Sequence, residues 1–80
     1  MYEIGMTKME RGEYVKALEY FNMAMNLDSV PNKRDVMKNM VVAYEMSGDF
    51  TSACSVMEEY VTMYPQDTAA ARELTFLRTR

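Results

Sequence analysis

Gly12-Glu13-Tyr14-Val15-Lys16-Ala17-Leu18-Glu19-Tyr20-Phe21 returns, 36 residues later, as Gly48-Asp49-Phe50-Thr51-Ser52-Ala53-Cys54-Ser55-Val56-Met57. Both copies read glycine, acid, aromatic, two spacers, alanine, three spacers and a large apolar residue. Self-similarity at this period marks a chain built from stacked helical hairpins. A glycine just past a helix takes the left-handed turn cheaply, and the apolar spacing after it opens a new helix. The repeated stretch is therefore the corner of a hairpin together with its second helix.

Working outward, residues 2–10 read as a short first helix with Tyr2, Met6 and Met9 on one stripe. Ile4 and Gly5 fall on another face, where the missing side chain of Gly5 lets a second helix come close. The second helix, 13–27, places Tyr14, Ala17, Leu18, Phe21, Ala24 and Met25 on a continuous apolar face; Lys16, Glu19, Asn22 and Asn26 lie opposite. Tyr20 and Met23 sit off that stripe and are expected to be partly exposed. Small Ala17 and Ala53 are the points where paired helices touch. Asp28-Ser29-Val30-Pro31-Asn32 is the one real loop, with Pro31 barring helix continuation and Asn32 as the next cap.

A third helix is expected over 33–46, packing through Met37, Met40, Val41 and Tyr44, with Val42 and Met46 pointing elsewhere. Asp49 caps the fourth, which reaches about Tyr64 and buries Phe50, Ala53, Cys54, Met57, Tyr60, Val61 and Tyr64. Pro65 stops it. Asp67 caps a last helix, 68–78, packing through Ala70, Ala71, Leu74 and Leu77. Connections of two to six residues make neighbouring helices antiparallel.

Composition narrows the function. Eighty residues support one domain with one thin core. The 49% hydrophobic and 26% charged content is that of a folded globule, and three Gly with two Pro favour helices over strands. The formal charge of −3 is dispersed, without the basic stripe of a nucleic-acid binder. The terminal Arg78-Thr79-Arg80 reads as a solvated helix end that complements the helix dipole. Cys54 is the single cysteine and histidine is absent, so neither a disulfide nor a thiolate or imidazole metal site is expected. No apolar run approaches the ~18 residues of a membrane span. Met1-Tyr2-Glu3-Ile4-Gly5 does not read as a signal peptide.

These residues resemble the tetratricopeptide repeat, a helix-turn-helix unit of about 34 residues. The first copy offers Met1, Ile4-Gly5, Lys8, Ala17-x3-Phe21 and Ser29; the second offers Met37, Met40-Val41, Tyr44, Ala53-x3-Met57 and Pro65. Met stands at the usual Trp position in both, and Val41 replaces the glycine of the second copy. The resemblance covers essentially the whole chain. It implies an all-α, right-handed superhelical stack of antiparallel hairpins with five helices: repeats at about 1–30 and 33–66, and a capping helix at about 67–80. The first hairpin lacks its leading turn, which suggests a fragment of a longer protein. The two residues beyond the usual period are placed in the Asp28–Arg34 loop.

The same resemblance implies a concave groove containing Tyr2, Met6, Met9, Lys38, Val42, Glu45, Met46, Arg72 and Phe76. An apolar floor edged by Lys38 and Arg72 suits an extended or helical peptide with hydrophobic anchors and an acid. Of the Lys and Asn pattern with which some family members clamp a C-terminal carboxylate, only Lys38 is present, so that docking mode is not expected. Catalysis reads poorly: Glu58 and Glu59 are adjacent and diverge by about 100° on a helix, and Cys54 has no basic neighbour in its pattern. The expectation is a non-enzyme without cofactor or metal that binds a peptide or partner protein, with no nucleic acid and no membrane insertion. The alternative is a structural element that stacks on further repeats or self-associates through the exposed edge of its first hairpin. A cytoplasmic setting is favoured, and a bacterial cell envelope stays open.

Overall fold

The turn that opens the repeat fixes the architecture twice in the same way. In a computed structural model describing residues 2–26 and 33–79, α1 (Tyr2–Glu10) ends where Gly12 N–H donates to the Met9 carbonyl (3.0 Å) and Glu13 N–H to the Lys8 carbonyl (2.9 Å). The echo ends α3 (Lys33–Met46) identically: Gly48 N–H to Glu45 (3.0 Å) and Asp49 N–H to Tyr44 (2.8 Å). Both are Schellman closures, which need a left-handed residue at the glycine. Gly12 and Gly48 supply it, with φ of 76° and 84°.

The next helix starts immediately after each closure. Asp49 accepts from the Ser52 backbone N–H at 3.1 Å and so caps α4 (Phe50–Met63). Glu13 precedes α2 (Tyr14–Met25) but makes no capping bond. Its longer side chain instead reaches Lys16 (3.3 Å) and Lys8 (3.7 Å), which hold its carboxyl below the usual range. With Glu13 at the N-cap position, α2 begins at Tyr14, one residue later than the expected 13–27. Asp67 caps α5 (Thr68–Arg78) by accepting from Ala70 N–H at 3.1 Å. The expected loop at 28–32 and the Asn32 cap lie outside the described residues.

All regular structure among the described residues is helical, in five helices. Each packs on its neighbours in the chain. Tyr2 meets Phe21 while Lys8 meets Glu13, so α1 and α2 run antiparallel. Arg34 reaches Tyr60 at one end of the α3–α4 pair, and Asp49 bonds Tyr44 at the other. Asn39 Nδ2 donates to Tyr2 Oη at 3.0 Å, and Arg34 and Lys38 both reach Asp67. These links tie Tyr2 of α1 to the middle of α3, and the first turns of α3 to the start of α5. The Cα envelope of 30 × 28 × 16 Å has room for two helix layers in its thin direction.

Two apolar clusters result. One gathers Ala17, Leu18, Phe21, Ala24, Val36, Met40 and Ala43; the other gathers Met37, Val41, Ala53, Met57, Tyr60, Ala70, Leu74 and Leu77. The packing surface of α3 is wider than its Met37, Met40, Val41 and Tyr44 face. Val36 and Ala43, left off its packing face, are wholly buried, because α3 lies between α2 and α4 and needs one stripe for each. Ala17 and Ala53 are also wholly buried. No helix of the described residues is long and apolar enough to cross a membrane.

Candidate functional site

Lys38, Val41 and Val42 of α3, Met57 of α4, and Asp67, Ala69, Ala70 and Glu73 at the start of α5 line a cleft of about 220 Å³. Helical spacing builds its walls: Lys38 and Val42 lie one turn apart on α3, and Ala69 and Glu73 one turn apart on α5. Met46 and Phe76 follow on the same stripes, beyond the lining residues. Val41, Met57 and Ala70 are core residues that form the apolar floor. Val42, Met46 and Phe76 are 42%, 60% and 58% exposed, far above what a packed helix face retains.

One end of the cleft is held by a polar junction centred on Asp67. Arg34 Nε donates to Tyr60 Oη at 2.7 Å, and the Tyr60 hydroxyl donates on to Asp67 Oδ2 at 2.7 Å. The same carboxylate oxygen accepts from Arg34 Nη2 at 3.1 Å and pairs with Lys38 Nζ at 3.3 Å. Lys38 also sits 5.6 Å from the Tyr60 ring centroid, and Arg34 lies 5.6 Å from that of Tyr64. The Tyr60 ring is wholly buried, so its hydroxyl is delivered at a fixed point. These donors, the Tyr60 hydroxyl foremost, hold the Asp67 carboxyl far below the ordinary carboxylate range. Asp67 in turn raises Lys38, while Tyr60 and then Asp67 raise Arg34.

This junction makes stability acid-sensitive. Asp67 binds a proton more weakly folded than unfolded, so its contribution is complete above the unfolded value near 3.8 and is lost as pH falls below it. Asp49, lowered by Ser52, acts in the same direction. The melting temperature is expected to decline below about pH 4. Asp67→Asn should flatten that decline, and a variant that keeps the full slope would refute the assignment.

The expected groove residues separate into groups. Lys38 and Val42 line the cleft, and Met46 and Phe76 stand exposed beside it. Arg72 is exposed on α5, and Glu45 is half-buried on α3. Tyr2, Met6 and Met9 differ: all three are half-buried against the Ala17–Phe21 cluster. Their apolar character is used, at least in part, in packing against α2. The Tyr2 ring lies 5.9 Å from Phe21. Arg34, Ala69 and Glu73 were not singled out in the sequence, Tyr60 was expected only as a buried packing residue, and Asp67 only as a cap. Arg34 and Lys38 at a spacing of four, two cations on one helix face, were the available signal for an acidic partner.

Cys54 is half-buried, and its thiol lies 3.4 Å from Glu58 Oε1. Desolvation and that carboxylate push the thiol pKa up, outweighing the opposing influence of Arg78. Such a thiol is a poor nucleophile at neutral pH. Glu58 and Glu59 are both exposed. Among the described residues, no three side chains of histidine, cysteine or acid type converge as metal ligands.

No protein-family model matches the chain. A search of curated proteins finds no significant match.

Proposed function

We propose that the chain is a tetratricopeptide-like interaction module that binds a peptide or partner protein on the face formed by α3 and α5, without catalysis. The observation that carries this reading is exposed Val42 on the rim of a cleft with an apolar floor, with Met46 and Phe76 exposed further along α3 and α5. Large apolar side chains clustered on one exposed face favour a partner's apolar anchors. Methionine adapts its shape to varied ligands. Lys38 remains half-exposed although paired with Asp67, so it can also meet a partner's acid at the rim.

The test uses a defined probe. A fluorescent peptide selected on this chain from a displayed random library should lose at least about tenfold in affinity for Val42→Glu, equivalent to ~1.4 kcal/mol. The far-ultraviolet circular dichroism and melt of that variant should stay unchanged, because Val42 is exposed. Unaltered affinity rejects this face.

A second reading, in which the chain stacks on further repeats or self-associates, is favoured by a different surface. Ile4, Val15 and Met23 on the first hairpin are 46%, 66% and 41% exposed. Short repeat arrays gain stability from such stacking. A sedimentation coefficient that rises with concentration, and is restored to the monomer value by Val15→Glu, would support it over the first.

A further inference from the structure

We propose that Arg34, together with Gln66 and Thr68, forms a recognition site for a phosphate monoester carried on a side chain of a peptide. The site is a second cleft, of about 300 Å³, lined by Arg34, Tyr64, Gln66, Asp67, Thr68 and Ala69. It shares Asp67 and Ala69 with the cleft described above, but has Arg34 on its wall in place of Lys38 and Val42, and the inference does not depend on what that other cleft binds. Charge sets what it attracts. Two cations, Arg34 and Lys38, converge on the single Asp67 carboxylate, which stays ionised, so the group carries one positive charge in excess. Arg34 is also held in place. Its Nε donates to Tyr60 Oη at 2.7 Å, its Nη2 to Asp67 at 3.1 Å, and the guanidinium lies 5.6 Å from the Tyr64 ring centroid. Even so, its side chain remains 53% exposed.

A guanidinium carries five N–H donors in a rigid fork. Among the described residues only the Nε hydrogen and one on Nη2 are engaged, which leaves Nη1 and the second Nη2 hydrogen for a ligand. Gln66 and Thr68, both exposed, bring an amide and a hydroxyl donor to the same cleft. This donor set exceeds what the two oxygens of a carboxylate can use. A phosphate monoester presents three acceptor oxygens and a charge of about −1.5 to −2. Arginine takes phosphate through two parallel bonds, and a fork already oriented by Tyr60 and Tyr64 loses less freedom in making them. A bilayer is the less suited source of that phosphate. With a formal charge of −3 the whole chain is repelled by an anionic surface, whereas one phosphate meets only the local excess of positive charge.

The experiment titrates N-acetyl-phosphothreonine methylamide into the whole isotope-labelled chain and follows the amide signals together with the Arg34 Nε–H. Saturable shifts are expected at Arg34, Gln66 and Thr68, with none from the unphosphorylated threonine amide. Gln66→Glu places a carboxylate in the cleft at an exposed position. It should weaken binding at least about tenfold while leaving the melt unchanged. Arg34→Lys keeps the charge but loses the fork, and should weaken binding severalfold. The inference is overturned if Gln66→Glu binds as the parent does, or if N-acetyl-glutamate methylamide binds as tightly as the phosphorylated probe. Inorganic phosphate binding equally well would show an adventitious ion only. Binding to phosphatidic acid vesicles in preference to the phosphothreonine probe would assign the site to a membrane and likewise overturn it.

Discussion

Tyr60→Phe is expected to lower the unfolding free energy by about 1–3 kcal/mol, and Tyr60→Ala by about 3–5 kcal/mol, in urea denaturation. The two figures have different origins. The phenylalanine variant keeps the wholly buried ring and removes only the hydroxyl that accepts from Arg34 and donates to Asp67. Its loss leaves each charged group one bond short. Arg34 is half-exposed and can recruit water, whereas the Asp67 side chain is only 10% exposed and can do so less. The alanine variant adds a cavity within the apolar cluster that also holds Met57, Ala70 and Leu74. Because the Tyr60 bond contributes most to lowering Asp67, the phenylalanine variant should also begin its acid-induced loss at higher pH. A Phe variant within 0.5 kcal/mol of the parent would contradict the junction.

Gly5→Ala should destabilise by about 1–2 kcal/mol in the parent chain, yet become neutral or mildly stabilising when Phe21 is also replaced by Ala. Two effects oppose one another. Alanine in a helix interior gains about 1 kcal/mol over glycine. A Cβ at position 5, however, would lie 2.6 Å from Phe21 Cε1 and 2.9 Å from its Cδ1. The ring cannot move aside easily, since Phe21 is fully buried with Tyr2 against it. Overpacking therefore wins while Phe21 is present. Phe21→Ala alone should cost about 3–5 kcal/mol, a large share of the stability of a domain this small. A Gly5→Ala effect of the same sign and size in both backgrounds would exclude the contact.

Hairpin corners were legible because they depend on local chemistry. A positive φ at Gly12 and Gly48, and carboxylates at Asp49 and Asp67 bonding to N–H groups three residues on, involve neighbours in sequence. Close approach at Gly5 was legible too, as the missing side chain on a periodic helix invites a ring. The two-sided burial of α3 was harder to read. Val36 and Ala43 fall off the stripe that carries Met37 and Val41, and a single period cannot announce two partners. Likewise Arg34 and Asp67 are 33 residues apart, and nothing in either local pattern names the other. The packing of Tyr2, Met6 and Met9 was hidden for the same reason. One apolar stripe serves equally as a core face or a groove, and only the position of α2 decides.

The most direct measurement is a map of backbone amide shifts as the library-selected peptide is titrated into isotope-labelled chain. The account predicts that the largest changes fall on Lys38, Val42, Ala69 and Glu73, which line the cleft, and extend to Met46 and Phe76 further along α3 and α5. Changes centred instead on Thr51, Ser55 and Glu58 of α4, with the cleft unmoved, would contradict it.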